Sequence, residues 1–199
     1  MLDQFYNRTF FLIICAVYLH KKLLYIQNST KFSIGVDVFF SLFLASIVCA
    51  TEEYLQMLRP IMMTLFISGF LTLYYDQTFK VSVVTSIISV SVSYVFGLIS
   101  AALVYLGKYL ILGPEPDHIA IKLVLFTVVG VFQFSLIRLL FSFPRLKKGM
   151  PFLRNEKFAD IGIVVSLILI SCVILGTNKG SIRIYVGVVL IYGMFLFLW

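Results

Sequence analysis

The stretch that decides the fold is VSVVTSIISVSVSYVFGLISAALVYLGKYLIL, which occupies residues 81–112. Its only charged residue is Lys108. About 20 consecutive apolar residues are enough for a helix to cross the hydrocarbon core of a bilayer. The stretch therefore predicts one long, tilted transmembrane helix.

The rest of the chain has the same apolar character. Hydrophobic residues make up 61% of the 199 residues and charged residues only 13%, with a mean hydropathy of +1.04. A soluble domain carries about 25% charged residues, because its surface must stay wet. The net charge of +7 is spread over short clusters between apolar runs, so it does not form a nucleic-acid-binding patch. We expect a single-domain, multi-pass protein of the cell membrane, with the lipid bilayer as its solvent.

The apolar runs predict an all-α, polytopic membrane helix bundle of about seven transmembrane helices. The predicted spans are Gln4–Leu19, Ile34–Ala50, Leu58–Tyr75, Val81–Leu112, Ile119–Phe143, Ile161–Leu175 and Ile182–Trp199. The first span is the weakest, because Asn7 and Arg8 interrupt it. Six spans therefore remain an alternative.

The distribution of Lys and Arg predicts the orientation of the bundle. Ten of the 16 basic residues lie in segments that face the cytoplasm if the N-terminus is outside, and basic residues favour the cytoplasmic side. The strongest determinant is the loop Phe143–Lys157, which holds five of them. We expect an external N-terminus and a cytoplasmic C-terminus. The last span reaches Trp199 without a basic flank, which suggests that residues 1–199 are a membrane domain cut from a longer protein.

Small residues repeat along one face of the fourth span at spacings of three or four. They are Ser82, Ser86, Ser89, Ser93, Gly97 and Ser100. Residues at this spacing share a helix face, and small residues let membrane helices approach closely. The simpler interpretation is a packing seam between helices. The functional interpretation is a polar groove that holds a ligand or slides during signalling.

No pattern in the chain predicts catalysis. Glu52 and Glu53, followed by Arg59, invite comparison with intramembrane glutamyl proteases, but the arginine lies six residues after the second glutamate. The two histidines, His20 and His118, are expected at loop edges, where neither would supply a buried base or a metal ligand. We predict no catalytic, cofactor-binding or metal-binding residue.

Two acidic residues are expected near the cytoplasmic ends of their spans. Asp37 follows Lys31, and Asp160 follows Lys157. Carboxylates within a membrane are costly and often functional. At an interface beside a lysine they are expected to be solvated or paired.

The most distinctive stretch is LLFSFPRLKKGMPFL, residues 139–153. A basic loop of this form between late transmembrane helices resembles the membrane sensor region of Agr-like histidine kinases of Firmicutes, which carry a GHKL-type ATPase domain. The layout of residues 33–199 agrees, with a Glu-containing turn, an Arg-Pro helix start and then a Ser-rich helix.

The resemblance implies a function for the segment. Members of this family place six or seven helices before a cytoplasmic dimerisation helix with a phospho-accepting histidine and an ATP-binding domain. This chain would be the sensor without the kinase, with no cofactor of its own, and would form a homodimer through its parent kinase. It would detect an extracellular or membrane-partitioned ligand, such as a short peptide or a small hydrophobic molecule.

The mechanism we expect begins at the outer ends of the helices. A ligand there would change packing along the serine face and shift the last span. The residues predicted for ligand contact or signalling are Glu53, Arg59, Ser86, Ser89, Ser93, Gly97 and Asp117. Two alternatives from other classes stay open: a subunit of a small-molecule uptake transporter, and a membrane structural protein without a ligand.

Overall fold

The computed structural model describes residues 2–26, 31–50, 59–112, 119–144, 146–155 and 157–162. Within these ranges the chain is all-helical and contains no strand, as the sequence predicts. The helices are α1 (Leu2–Leu23), α2 (Lys31–Ala50), α3 (Arg59–Tyr75), α4 (Phe79–Leu112) and α5 (Ile119–Leu140). A short 3₁₀ helix, Pro151–Arg154, and a helical segment at 157–162 follow.

Three of these helices are long and apolar enough to cross a membrane. The qualifying segments of the described chain are Ser33–Ala50, Phe79–Leu110 and Leu123–Leu140, and Ile61–Tyr75 is a shorter apolar helix. At 34 residues and 1.5 Å per residue, α4 is about 51 Å long. The sixth and seventh predicted spans lie outside the described residues, except for 161–162. The total of seven spans therefore remains a prediction.

Successive helices alternate in direction. The Tyr6 hydroxyl at the start of α1 donates to the Leu42 carbonyl in the second half of α2, whereas Lys21 near the end of α1 pairs with Asp37 near the start of α2. One end of the bundle thus collects the last turns of α1, α3 and α5 and the first turns of α2 and α4. We call it the basic end, because Lys21 and Lys80 lie there with the loop after α5. We call the opposite end the cavity end.

Helix α1 occupies the centre of the described bundle. It packs against α2, α4 and α5, while α3 packs mainly on α4. Ile13, Cys15 and Ala16 have no exposed surface. The predicted end of this helix at Leu19 was too early, because the chain stays helical to Leu23. The helix that the sequence predicts as the weakest span is thus the most buried of the described helices.

Candidate ligand site between three helices

The small residues of α4 form a face that is largely buried and that contacts α1 through Ser86 and Ser93. Of the predicted set, Ser82, Ser86, Ser89, Ser93 and Ser100 have no exposed surface at all. The Ser93 hydroxyl donates to the Leu12 carbonyl of α1 at 2.9 Å, and the Ser86 hydroxyl lies 3.1 Å from His20 Nδ1. The expected common face is confirmed, and we call it the α1–α4 seam. Close approach of two backbones requires side chains of this size.

His20 corrects the sequence interpretation. It was expected at a loop edge, where it would supply no buried base, but it is fully buried within α1. The reason is that α1 continues past it and directs its ring at Ser86 on α4. No described residue forms a hydrogen bond with its Nε2 atom. The signal that could have revealed this position is its spacing of four and eight residues from the buried Ala16 and Leu12.

A buried ionic network joins three helices at the basic end. The Lys21 ammonium contacts the Asp37 carboxylate and donates to the Tyr75 hydroxyl at 3.0 Å. That hydroxyl donates to the second Asp37 oxygen at 2.8 Å. Asp37 is therefore paired, as expected for a carboxylate at this depth, and Lys21 is a partner that the sequence did not indicate. The network fixes α1 against α2 and α3.

The loop after α5 returns to the end of α1. The Met150 amide donates to the Leu23 carbonyl at 2.7 Å, and the Arg154 guanidinium donates to the Leu24 carbonyl through Nε at 3.1 Å. Gly149 has a φ of +69°, and a Cβ there would lie 2.6 Å from the carbonyl oxygens of Lys22 and Leu23. We call Leu146–Arg154 the strap. It satisfies backbone carbonyls at a helix end, where intrahelical donors run out.

A cavity of about 310 Å³ lies between α1, α4 and α5 at the cavity end. Its lining residues are Arg8, Phe11, Leu12, Tyr94, Gly97, Leu98, Ala101, Tyr105, Phe126, Val129, Gly130 and Gln133. They range from exposed side chains such as Arg8 to buried ones such as Val129 and Gln133. The cavity therefore extends from the surface of the bundle to the α1–α4 seam.

Gln133 joins the cavity to the seam. Its side-chain nitrogen donates to the Ser93 carbonyl at 2.8 Å and to the Ser93 hydroxyl at 3.0 Å. The Ser93 hydroxyl in turn donates to the Leu12 carbonyl. A Cβ at Gly97 would lie 3.3 Å from the Gln133 carbonyl oxygen, so the glycine leaves room for the amide. One polar chain thus connects α5, α4 and α1 beside the cavity.

The structure brings together some of the predicted site residues. Ser86, Ser89 and Ser93 lie in the seam, and Gly97 also lines the cavity. Arg59 is the first residue of α3, but the structure does not describe its side chain. Glu53 and Asp117 lie outside the described residues, so their part in ligand contact stays a prediction.

Two cavity residues were missed from the sequence. Arg8 was taken only as an interruption that weakens the first span. A charged residue inside a candidate membrane helix is itself a signal of function, and that signal could have found it. Gln133 lies within a long apolar run, and nothing local shows that its amide faces α4. Among the described residues no group of His, Cys, Asp and Glu could hold a metal ion.

No protein-family model, curated protein or solved structure matches the chain. Its function must therefore be argued from the seam, the cavity and the strap.

Proposed function

We propose that the chain is the membrane-embedded sensing region of a histidine kinase, which binds a ligand in the cavity and relays binding along α1. The observation that carries the proposal is the position of α1. The same helix lines the cavity through Arg8 and Leu12 and holds the strap through the carbonyls of Leu23 and Leu24. A change in its position at one end must be accommodated at the other.

In this proposal the polar chain has a second arrangement besides the one in the structure. Hydroxyls and amides can exchange one carbonyl acceptor for a neighbouring one when helices slide, whereas interlocked large side chains resist sliding. A ligand shifts such an equilibrium only by binding one arrangement better than the other. Because the cavity is bounded by Gly97 and Gln133 beside Ser93, a ligand there contacts the groups that would rearrange.

Most of the strap belongs to the stretch 139–153, on which the proposed resemblance to the kinase family rests. It carries the Lys-Lys-Gly-Met-Pro sequence at 147–151 and contacts both α1 and the start of α4. In this proposal, movement of α1 pulls on the strap and so changes the packing of the two last spans, Ile161–Leu175 and Ile182–Trp199. The last of these would reorient the kinase helices in a homodimer.

The proposed topology has seven spans, an external N-terminus and a cytoplasmic C-terminus. Its support is that three basic residues, Lys21, Lys80 and Arg154, gather at one end of the bundle, since basic residues favour the cytoplasmic side. A cysteine at Lys148 should react with a membrane-impermeant maleimide only from the cytoplasmic side, and one at Glu115 only from outside. The native Cys15 and Cys49 are buried, which limits their background labelling, and Cys172, which lies outside the described residues, is replaced by serine. Labelling of both positions from one side would contradict the topology.

The test of function uses the complete reading frame in liposomes. If it encodes a kinase after Trp199, autophosphorylation should change by about fivefold or more in Ser93→Leu, because this replacement breaks the polar chain. Ser135→Leu is the matched control, since Ser135 is an exposed serine of α5 that bonds only within its own helix. Equal rates in both variants would remove the seam from the mechanism.

The two alternatives predict different outcomes. A reading frame with no ATP-binding domain, together with ligand accumulation in cells that depends on the chain, would identify an uptake subunit. A reading frame with neither activity would identify a structural protein. Either result would overturn the kinase proposal.

A further inference from the structure

Arg8 is a cation without a counter-ion in the described part of the chain. It lies on α1 about 9 Å from the start of the helix and lines the cavity. Its guanidinium makes neither a hydrogen bond nor an ion pair with any described residue, and its neighbour Asn7 instead donates to Thr127 on α5. Arginine stays charged at any physiological pH. A charge in a membrane helix is costly unless it is paired or hydrated.

The other walls of the cavity are mainly apolar and aromatic. Phe11 and Leu12 come from α1, Leu98 from α4, and Phe126 and Val129 from α5. Gly130 lets Phe11 approach α5, because a Cβ there would lie 2.2 Å from the Phe11 ring. The cavity thus has one charged position, while the rest of its lining is mainly apolar and aromatic, which is the pattern of a site for an amphiphile.

Gln133 determines where the head group of an amphiphile would lie. Its side-chain nitrogen is engaged by Ser93, so the amide offers its carbonyl oxygen to further partners. A carbonyl oxygen accepts hydrogen bonds and repels an anion. An anionic head group is therefore favoured at Arg8 and disfavoured at Gln133.

We propose that the cavity binds a small amphiphile with an anionic head group, such as a carboxylate, which pairs with Arg8 while its apolar body lies against Phe11, Leu98 and Phe126. This inference rests on the proposed function in taking the cavity as the ligand site. A volume of about 310 Å³ is at the lower limit of ligand pockets. It is large enough for a single small molecule.

The experiment measures fluorescence anisotropy of 2-naphthoate with the full chain in phosphatidylcholine nanodiscs, against empty nanodiscs. Saturable binding is expected for naphthoate, and binding at least about tenfold weaker for the neutral 2-naphthylmethanol, because the ion pair with arginine is lost. The cationic 2-naphthylmethylamine should not bind saturably. Equal affinity for naphthoate and the alcohol would overturn the proposal.

Variants assign the binding to Arg8. Arg8→Gln should weaken naphthoate binding about tenfold or more, and Arg8→Lys should retain most of it, because the charge remains. Lys108→Gln is the matched control, since Lys108 is a cation of α4 beyond Tyr105 that does not line the cavity. Ala101→Phe should abolish binding by filling the cavity. Equal weakening in Arg8→Gln and Lys108→Gln would overturn the assignment, and a thermal unfolding scan of each variant shows that the fold is retained.

A second lipid composition separates a free amphiphile from a lipid head group. The wild type and Arg8→Gln are compared again in nanodiscs that contain phosphatidylglycerol. If the wild type still binds naphthoate more tightly than Arg8→Gln, the result supports a free ligand. If the two affinities become equal, the lipid head group occupies Arg8 and the proposal is overturned. Naphthoate binding that leaves autophosphorylation unchanged would contradict the proposed function alone, because binding is measured without the kinase.

Discussion

At the basic end of the bundle Lys21 is held between Asp37 and Tyr75, whereas at the cavity end Arg8 faces a cavity with no acidic partner among the described residues. Both cations belong to α1, and both lie within a helical bundle. Lys21 has partners on the neighbouring helices, whereas Arg8 has no partner among the described residues. The comparison shows that α1 is tied to α2 and α3 at one end, whereas its other end borders the cavity proposed as the ligand site.

The largest loss of stability is expected when the network of Lys21, Asp37 and Tyr75 at the basic end is broken. Asp37→Asn keeps the shape of the side chain but leaves the Lys21 ammonium, whose side chain is 12% exposed, without a carboxylate. Removing one partner of a buried ion pair costs about 3–5 kcal/mol. The free energy of unfolding, measured by denaturation in mixed micelles, should fall by that amount.

The matched control is Asp160→Asn. Its partner Lys80 lies 2.8 Å away, but the two side chains are 56% and 58% exposed, so the loss should stay below about 1 kcal/mol. Similar losses in the two variants would show that the Lys21 network stabilises the fold no more than a surface ion pair does.

The next effect concerns the strap. Gly149→Ala places a Cβ 2.6 Å from two backbone oxygens at a φ of +69°, so we expect a loss of about 2 kcal/mol and faster proteolysis within residues 146–155. Gly69→Ala is the control, because nothing lies within 4 Å of its added Cβ. It should raise stability slightly, since alanine favours a helix. Unchanged proteolysis of Gly149→Ala would contradict the tie between the strap and α1.

A smaller loss of stability is expected at Ser93, in the α1–α4 seam between the two ends of the bundle. Ser93→Ala removes the hydroxyl that joins Leu12 and Gln133 and should cost about 1–2 kcal/mol. Ser135→Ala, at an exposed position of α5, should change the free energy of unfolding by less than about 0.5 kcal/mol. Indistinguishable values would mean that the polar chain adds nothing to the α1–α4 seam.

The smallest effect belongs to Arg8. Because its side chain makes no bond to the described chain, Arg8→Gln should change the free energy of unfolding by less than about 0.5 kcal/mol without ligand. A saturating anionic ligand should then stabilise the wild type and not the variant, because only a folded, charged site binds it. The measurement is thermal unfolding with and without naphthoate. A large loss of stability without ligand would show that Arg8 has a structural partner.

The sequence predicted the helices better than the site. The fourth span was expected to begin at Val81 and begins at Phe79, and the second and third spans end at Ala50 and Tyr75 as predicted. These helices follow from apolar run length alone. The end of α1 was misplaced because His20 and Lys21 look like loop residues until Ser86 and Asp37 supply their partners.

The candidate site was predicted only in part, for a similar reason. The α4 serines share a face by periodicity, which is a property of one helix. The cavity depends on Arg8, Gly97 and Gln133 together, and these residues come from three helices. Their meeting depends on how the helices pack, which a local pattern does not encode.

The central position of α1 also affects how the chain is made. This helix precedes α2 to α5 in the chain and is synthesised before them, yet it is not among the described segments that are long and apolar enough to qualify as a span. The partners of its polar groups are synthesised later: Asp37 on α2, Ser86 and Ser93 on α4, and finally Met150 in the strap. Helix α1 therefore reaches its native environment only when the rest of the bundle has been inserted. Among α1 to α5 it is thus synthesised first and completes its contacts last.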